Sequence, residues 1–305
     1  MALRTVPPPA PPRNVGSDSA PNMRDGGRTR AAPTTGTPRR SARRGGHLLG
    51  LLPPLTFGAF MLALWLLARW QLIQTRGPAA AKLLLPAPTE VLRSFAQIVT
   101  DPALRGYIGT TVVESLGGCA LGALVALPLG YVIARSPLAA RAVQPYLAAS
   151  QALPAVALAP LIALWLGYEV ESRMALCALI VFFPLVITTT LGVRTLDRDI
   201  LDAARVDGAS RFALIWQIEA PLALPSILAG LRTSLTLSIT GAVVGEFVIG
   251  ATAESKGLGQ LLGQFLNQFD GAGTFATLLV LALLAAVYYG LARLVERRYS
   301  YLEAV

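Results

Sequence analysis

Few side chains in this sequence can carry chemistry. His47 is the one imidazole and Cys119 and Cys177 the two thiols in 305 residues, so neither a His-based catalytic triad nor a His/Cys zinc site can be assembled. The two cysteines fall in separate apolar runs, where a thiol serves as small apolar filling. No Gly-rich loop followed by lysine is present to cradle nucleotide phosphates. No enzymatic activity, metal or cofactor is therefore expected on this chain, and any ATP it depends on must be held by another. What remains is a handful of charges in apolar surroundings (Glu114, Arg232 and Glu246, with Ser238 and Thr240 nearby) and one polar, helix-forming stretch, "DAARVDGASRFALIWQIEAP", residues 202–221.

The elements that must position these residues follow from composition. The chain is 54% hydrophobic and only 14% charged, against about 25% charged in globular proteins. Runs of about 20 apolar residues match a hydrocarbon layer about 30 Å thick, and inside it only helices leave no backbone group without a partner. Six such runs are expected: Leu48–Ala68; Leu116–Ala134, extending back over Ile108 with Glu114 near its entrance; Val143–Gly167, with Pro145, Pro154 and Pro160 suggesting a surface-lying or kinked start; Met174–Val193; Leu222–Ala253; and Thr274–Ala292. The fold class is all-α, a polytopic membrane protein with six transmembrane helices.

Orientation follows from lysine and arginine. With an inside N-terminus, the inner segments carry nine arginines in the tail plus Arg135, Arg141, Arg194, Arg198, Arg205, Arg211, Arg293, Arg297 and Arg298, eighteen in all. The outer segments carry seven: Arg69, Arg76, Lys82, Arg93, Arg105, Arg173 and Lys256. This asymmetry obeys the positive-inside rule and places both termini in the cytoplasm. The net charge of +9 is thus accounted for by topology, and no aromatic-interleaved basic face points to nucleic acid. Residues 1–47, rich in Pro, Arg, Gly, Ser and Thr, bury too little to offset the entropy of ordering and are read as a disordered basic tail. The membrane domain spans 48–300 and a short C-terminal tail 301–305. "RRSARRGG" before the first run is read as the flank of an uncleaved anchor.

Between the fourth and fifth runs, "RDILDAARVDG" has helix-forming composition and closes on Gly208, and "ASRFALIWQIEAP" follows as a second short helix expected to end at Pro221. Phe212, Ile215 and Ile218 keep helical spacing on the second piece. The alternatives are a knuckle that seats in a partner's groove or a helix lying on the membrane with Phe212 and Trp216 as interfacial anchors.

This stretch resembles the loop of bacterial binding-protein-dependent ABC importer permeases, which carries Glu-Ala-Ala, a glycine shortly after, and Ile-x-Leu-Pro about ten residues beyond. Here Asp202-Ala203-Ala204, Gly208 and Ile218-Glu219-Ala220-Pro221 stand in those places; Asp202 replaces the usual glutamate and Ala220 the usual leucine. "LLLPAPTEVLRSF" (83–95) and "AGLRTSL…GAVVGEFVIG…KGLGQLL" (229–262) look like further segments of the nitrate, sulfonate and taurine permease family. The resemblance implies a type I importer permease fold in a bacterial inner membrane and a coupling helix between helices four and five, within residues 199–221. It also implies ATPase-coupling roles for Asp202, Ala203, Ala204, Gly208, Phe212, Ile218 and Pro221. The partners it implies are a second permease copy, as a homodimer, two ATP-binding subunits carrying ATP and Mg, and an external solute-binding protein. Expected substrates are small anions (sulfonate, taurine, nitrate) or a pyrimidine-type vitamin precursor.

A charge near the bilayer centre costs about 2.5–3.5 kcal/mol and needs a partner or a wet cavity. Arg232, expected near the cytoplasmic end, either lines the pathway, snorkels or binds the preceding loop. Glu246, nearer the outer end, either lines the pathway or packs the outer gate. Ser238, Thr240 and Gly241 either share that cavity or are ordinary helix contacts, and Glu114 is a further pathway candidate. An ATP-independent secondary transporter using Glu246 is the alternative function, although no internal repeat supports it.

Overall fold

A computed structural model describes the backbone of residues 46–250 and 256–302. The chain divides into two units, 1–55 and 56–305. The expected basic tail lies outside the described residues except for its last two positions, which open the first helix; of the expected C-terminal tail only 301 and 302 are described, as the end of the last helix. All regular structure among the described residues is helical: α1 (Gly46–Arg76), α2 (Pro78–Leu84), α3 (Pro88–Thr100), α4 (Pro102–Arg135), α5 (Pro137–Gln151), α6 (Ala155–Leu166), α7 (Val170–Arg194), α8 (Arg198–Val206), α9 (Arg211–Ala213), a π-turn (Leu214–Glu219), α10 (Ala220–Val248), α11 (Leu258–Asn267) and α12 (Gly271–Leu302).

Among the described residues five helices are long and apolar enough to cross a membrane, and six if α5 and α6, which meet at 98°, form one broken span. That break realises the expectation of a kinked third run: Pro154 cannot continue the hydrogen-bond ladder, and α5 ends three residues earlier. Two boundaries differ from expectation. The second run begins at Pro102, capped by the Asp101 carboxylate on Ala103 N–H, so Glu114 stands within the helix and not at its entrance. The fourth begins at Val170, which draws Arg173 out of the expected outer loop and into the bundle.

The core is α7 held between α4 and α10. On α4 the buried positions Gly118, Gly122, Ala126 and Gly130 recur every four residues, and on α10 Gly230, Ser234, Ser238, Ala242 and Gly245 do nearly the same. These are small-residue grooves that let helix backbones approach closely where lipid supplies no hydrophobic drive between helices. The approach is tight enough that a methyl group on Gly118 would meet the Cys177 Cβ at 2.2 Å. α7 answers with a two-sided buried pattern, Leu176/Cys177, Val181, Leu185/Val186, Thr189 and Gly192/Val193. Outward positions such as Leu124, Leu164 and Trp165 are large, apolar and exposed, as a lipid-facing surface requires. α1 is tied to the chain after α2 by Trp65 Nε1 donating to Pro86 O at 3.1 Å and Arg69 to Leu85 O at 2.5 Å.

Pro221 does not end the second piece of the polar stretch. The helix runs unbroken from Arg211 to Val248, because the π-turn immediately before Pro221 relaxes the i→i−4 ladder at the place where a proline ring would collide with it. Gly118→Leu is expected to disrupt the α4–α7 seam and lower both the folded yield in the membrane and the thermal midpoint in detergent, whereas Leu124→Ala, on the outer face of the same helix, should leave both nearly unchanged.

Candidate functional site

The polar stretch forms a knuckle at one end of the bundle. α8 is capped by the Asp197 carboxylate on Asp199 N–H and closes in a Schellman motif: Gly208 N–H donates to Arg205 O (3.1 Å) and Ala209 N–H to Ala204 O (3.0 Å). Gly208 has φ +85°, a left-handed conformation that side chains with a Cβ disfavour. Ser210 then caps the next helix on Ala213 N–H, so the reversal takes only a few residues. Asp202, Ala203, Gly208, Phe212 and Pro221 are exposed, while Ala204 and Ile218 are half-buried. Asp202 pairs with Arg205 along the exposed side of α8 at 2.5 Å. Phe212 stacks obliquely on Trp216, ring centroids 6.1 Å apart, and together with Val206, 87% exposed, they give the knuckle an apolar outer face.

Its inner face is anchored. Leu201 and Leu214 are buried, and Glu219, only 2% exposed, accepts from Tyr131 Oη at 2.7 Å and from Arg135 Nε at 3.0 Å on one oxygen, while Arg135 Nη2 lies 2.9 Å from the other as an ion-pair contact. This is a charge-assisted clamp from the end of α4 to the root of the knuckle. Arg194 Nη2 adds a bond to Ile133 O at 3.1 Å. Sequence reasoning assigned Glu219 no such role, although a carboxylate opening one apolar run and an arginine closing another, Arg135, was the available signal.

At the opposite end of the same three helices lies a second cluster. Glu114 Oε1 and Arg173 Nε pair at 2.7 Å with both side chains fully buried. Arg173 Nη1 also donates to Gly250 O at 2.8 Å. Glu246 accepts from Thr111 Oγ1 at 2.6 Å and from Gly259 N–H, and Thr111 Oγ1 in turn accepts Leu258 N–H at 2.8 Å. The cluster thus fastens the start of α11 to α4, α7 and α10. Glu246 also borders a cavity of about 420 Å³ together with Phe247, Gln260, Gln264 and Asn267.

The remaining candidates separate. Arg232 neither snorkels nor reaches the preceding loop: it pairs with Glu296 on α12 at 2.7 Å and lies 5.2 Å over the Tyr289 ring. Ser238 and Gly241 are buried against Cys177 of α7, whereas Thr240 is exposed on another side of the helix, so the three share no cavity and the first two are helix contacts. Among the described residues no group of three metal-ligating side chains occurs.

Residues 126–301 match the family described as binding-protein-dependent transport system inner membrane component. The chain is 41% identical over 232 residues to the riboflavin transport system permease RibX of Chloroflexus aurantiacus, covering 76% of this chain and 85% of the relative. It is 30% identical to the formylaminopyrimidine transport permease ThiX of Halalkalibacterium halodurans (80% and 93%), and 29% identical to the putative aliphatic sulfonates permease SsuC of Bacillus subtilis (84% and 88%). An inward-facing MetNI methionine ABC transporter structure superposes with TM-score 0.58 over 66% of this chain and 99% of its own, at 15% identity, a likeness of fold. With a family match over more than half its length, this chain belongs to the inner membrane permeases of binding-protein-dependent ABC importers.

Proposed function

We propose that two copies of this chain form the pathway of an ATP-driven importer, that two ATP-hydrolysing subunits carrying ATP and Mg seat the knuckle of residues 199–221, and that an external binding protein delivers the substrate. Both termini are then cytoplasmic and the Glu114–Arg173–Glu246 cluster lies toward the outside. The observation that carries this reading is the two-sided knuckle. Its inner face is clamped to α4 through Glu219, and its outer face offers Ala203, Val206, Phe212 and Trp216 with no partner within the described chain large enough to bury them. A rigid lever fixed at its root can convert closure of two ATPase subunits into a rigid-body movement of the helices.

The cargo is a neutral, hydrogen-bonding heterocycle, a vitamin or its precursor, in preference to a small anion. Two of the relatives at 30% identity or more are named for riboflavin and formylaminopyrimidine transport, and another carries no substrate name. The cavity beside Glu246 agrees with them, since a carboxylate, three carboxamides and a phenylalanine line it and no cation occurs among its described lining residues. Glu246 itself acts there as the latch that holds α11, so its role is to position the wall of the cavity.

The assignment is tested by extracting the tagged protein gently from its native membrane. An ATP-binding subunit should co-purify with wild type and be depleted with Gly208→Leu, which stays in the membrane and loses transport; wild-type protein recovered without any ATPase would overturn the reading. In reconstituted vesicles, ATP-dependent uptake of labelled riboflavin should persist under a large excess of taurine, and uptake of taurine in its place would return the cargo to the small anions. Glu246→Gln sets an amide N–H₂ against either Thr111 or the Gly259 N–H, because both carboxylate oxygens act as acceptors; a loss of about 1–3 kcal/mol, lower uptake and a lower thermal midpoint are expected. Arg173→Met leaves Glu114 buried without its partner and should cost about 3–5 kcal/mol, and the double variant Arg173→Met/Glu114→Leu should cost less than that single one. A double variant worse than the single would show that the pair is not a self-contained unit.

A further inference from the structure

One cavity belongs to neither cluster. It lies between the first part of α10 and the C-terminal part of α12, holds about 320 Å³, and is lined by Pro225, Leu228, Arg232, Arg293, Glu296 and Arg297 among others. Three guanidiniums and one carboxylate line it; Arg232 engages that carboxylate through Oε2, and Arg297 has an interaction of its own. Arg293 is exposed and takes part in no ion pair or hydrogen bond among the described residues. The other carboxylate oxygen, Glu296 Oε1, is buried and has no hydrogen-bond partner among the described residues.

The unengaged guanidinium of Arg293 beside a buried acceptor lacking a donor describes a ligand with an anionic group and a hydroxyl or N–H donor a few ångströms away. Guanidiniums match phosphate oxygens in both geometry and charge. The height of the cavity identifies the source. The uncharged run of α12 extends from Thr274 to Ala292 and ends at Arg293, so these arginines stand where hydrocarbon gives way to headgroups. Next to them Leu291, Leu294 and Val295 are exposed on the same helix, offering an apolar track for an acyl chain. Basic pockets between spanning helices at this level are sites for anionic headgroups.

We propose that this cavity binds a phosphate group, supplied by an anionic phospholipid whose headgroup carries a hydroxyl: the phosphodiester meets Arg293, and the hydroxyl donates to Glu296 Oε1. The site joins α10, which carries the knuckle at its root, to α12, so an occupied cavity stiffens the helix that transmits the ATPase stroke. The proposal is independent of the cargo.

The test uses the purified transporter complex, delipidated by detergent exchange, with thermal midpoints read against dioctanoyl-phosphatidylglycerol, dioctanoyl-phosphatidylcholine and inorganic phosphate. Phosphatidylglycerol should raise the midpoint saturably, as a ligand of the folded state does, while phosphatidylcholine should not. Arg293→Gln, whose side chain holds nothing else in place, should weaken that apparent affinity roughly tenfold with the unliganded midpoint unchanged, the loss of one charge-assisted bond. Arg298→Gln, one position outside the cavity wall, should not weaken it. An equal response to inorganic phosphate would keep the phosphate site and make its source soluble. No response to any phosphate compound, or a response that Arg293→Gln leaves intact, would overturn the proposal.

Discussion

Glu219 and Glu246 stand near the two ends of one continuous helix, about 40 Å apart along its axis at the usual rise, and both are buried. Burial takes such groups out of water, so each must be met by protein donors or the helix cannot sit where it does. Tyr131 and Arg135 meet the first; Thr111 and the Gly259 N–H meet the second, with the Glu114–Arg173 pair beside it. The donors come from α4 at both ends and from α7 and the start of α11 at one. The same constraint therefore sets the register of α10 against its neighbours and fixes the two functional regions to that register: the knuckle at one end and the α11 wall at the other.

Between these ends the packing is made of absences. Gly118, Gly122 and Gly130 on α4, and Gly230 and Gly245 on α10, leave room for α7 to approach within backbone contact on both sides. A bundle packed this way is stiff along its length, because small residues leave no flexible side chain to absorb a shear. On the proposed function, displacement of the knuckle would be transmitted as a movement of α4, α7 and α10 together.

The spans were legible because lipid imposes one length and one polarity, and their helical character follows from backbone hydrogen bonding alone. The knuckle was legible too, since Gly208 marks the reversal and the charges of residues 202–211 interrupt two apolar runs. Pairing was not. Glu114 and Arg173 are 59 positions apart in the chain, and nothing local in either run shows that they meet, so one was read as a pathway candidate and the other as a loop charge. Arg232 likewise showed no sign of its partner on α12. Pro221 misled for a different reason: a proline normally closes a helix, but the π-turn from Leu214 to Glu219 opens the ladder beside it, and no composition signal announces a π-turn. Ser238 and Gly241 carried two readings that only the position of α7 separates.

On the proposed function, the knuckle is a lever fixed at Glu219 and seated outward on an ATP-hydrolysing subunit. The most direct test of that role is photo-crosslinking in intact native membranes from a reactive side chain placed at Ala203, on the exposed face of α8, and at Leu201, on its buried face. Capture of the ATP-hydrolysing subunit from position 203 and not from 201 is the predicted result; adducts to lipid alone from position 203 would make the knuckle a membrane-surface helix and contradict the account.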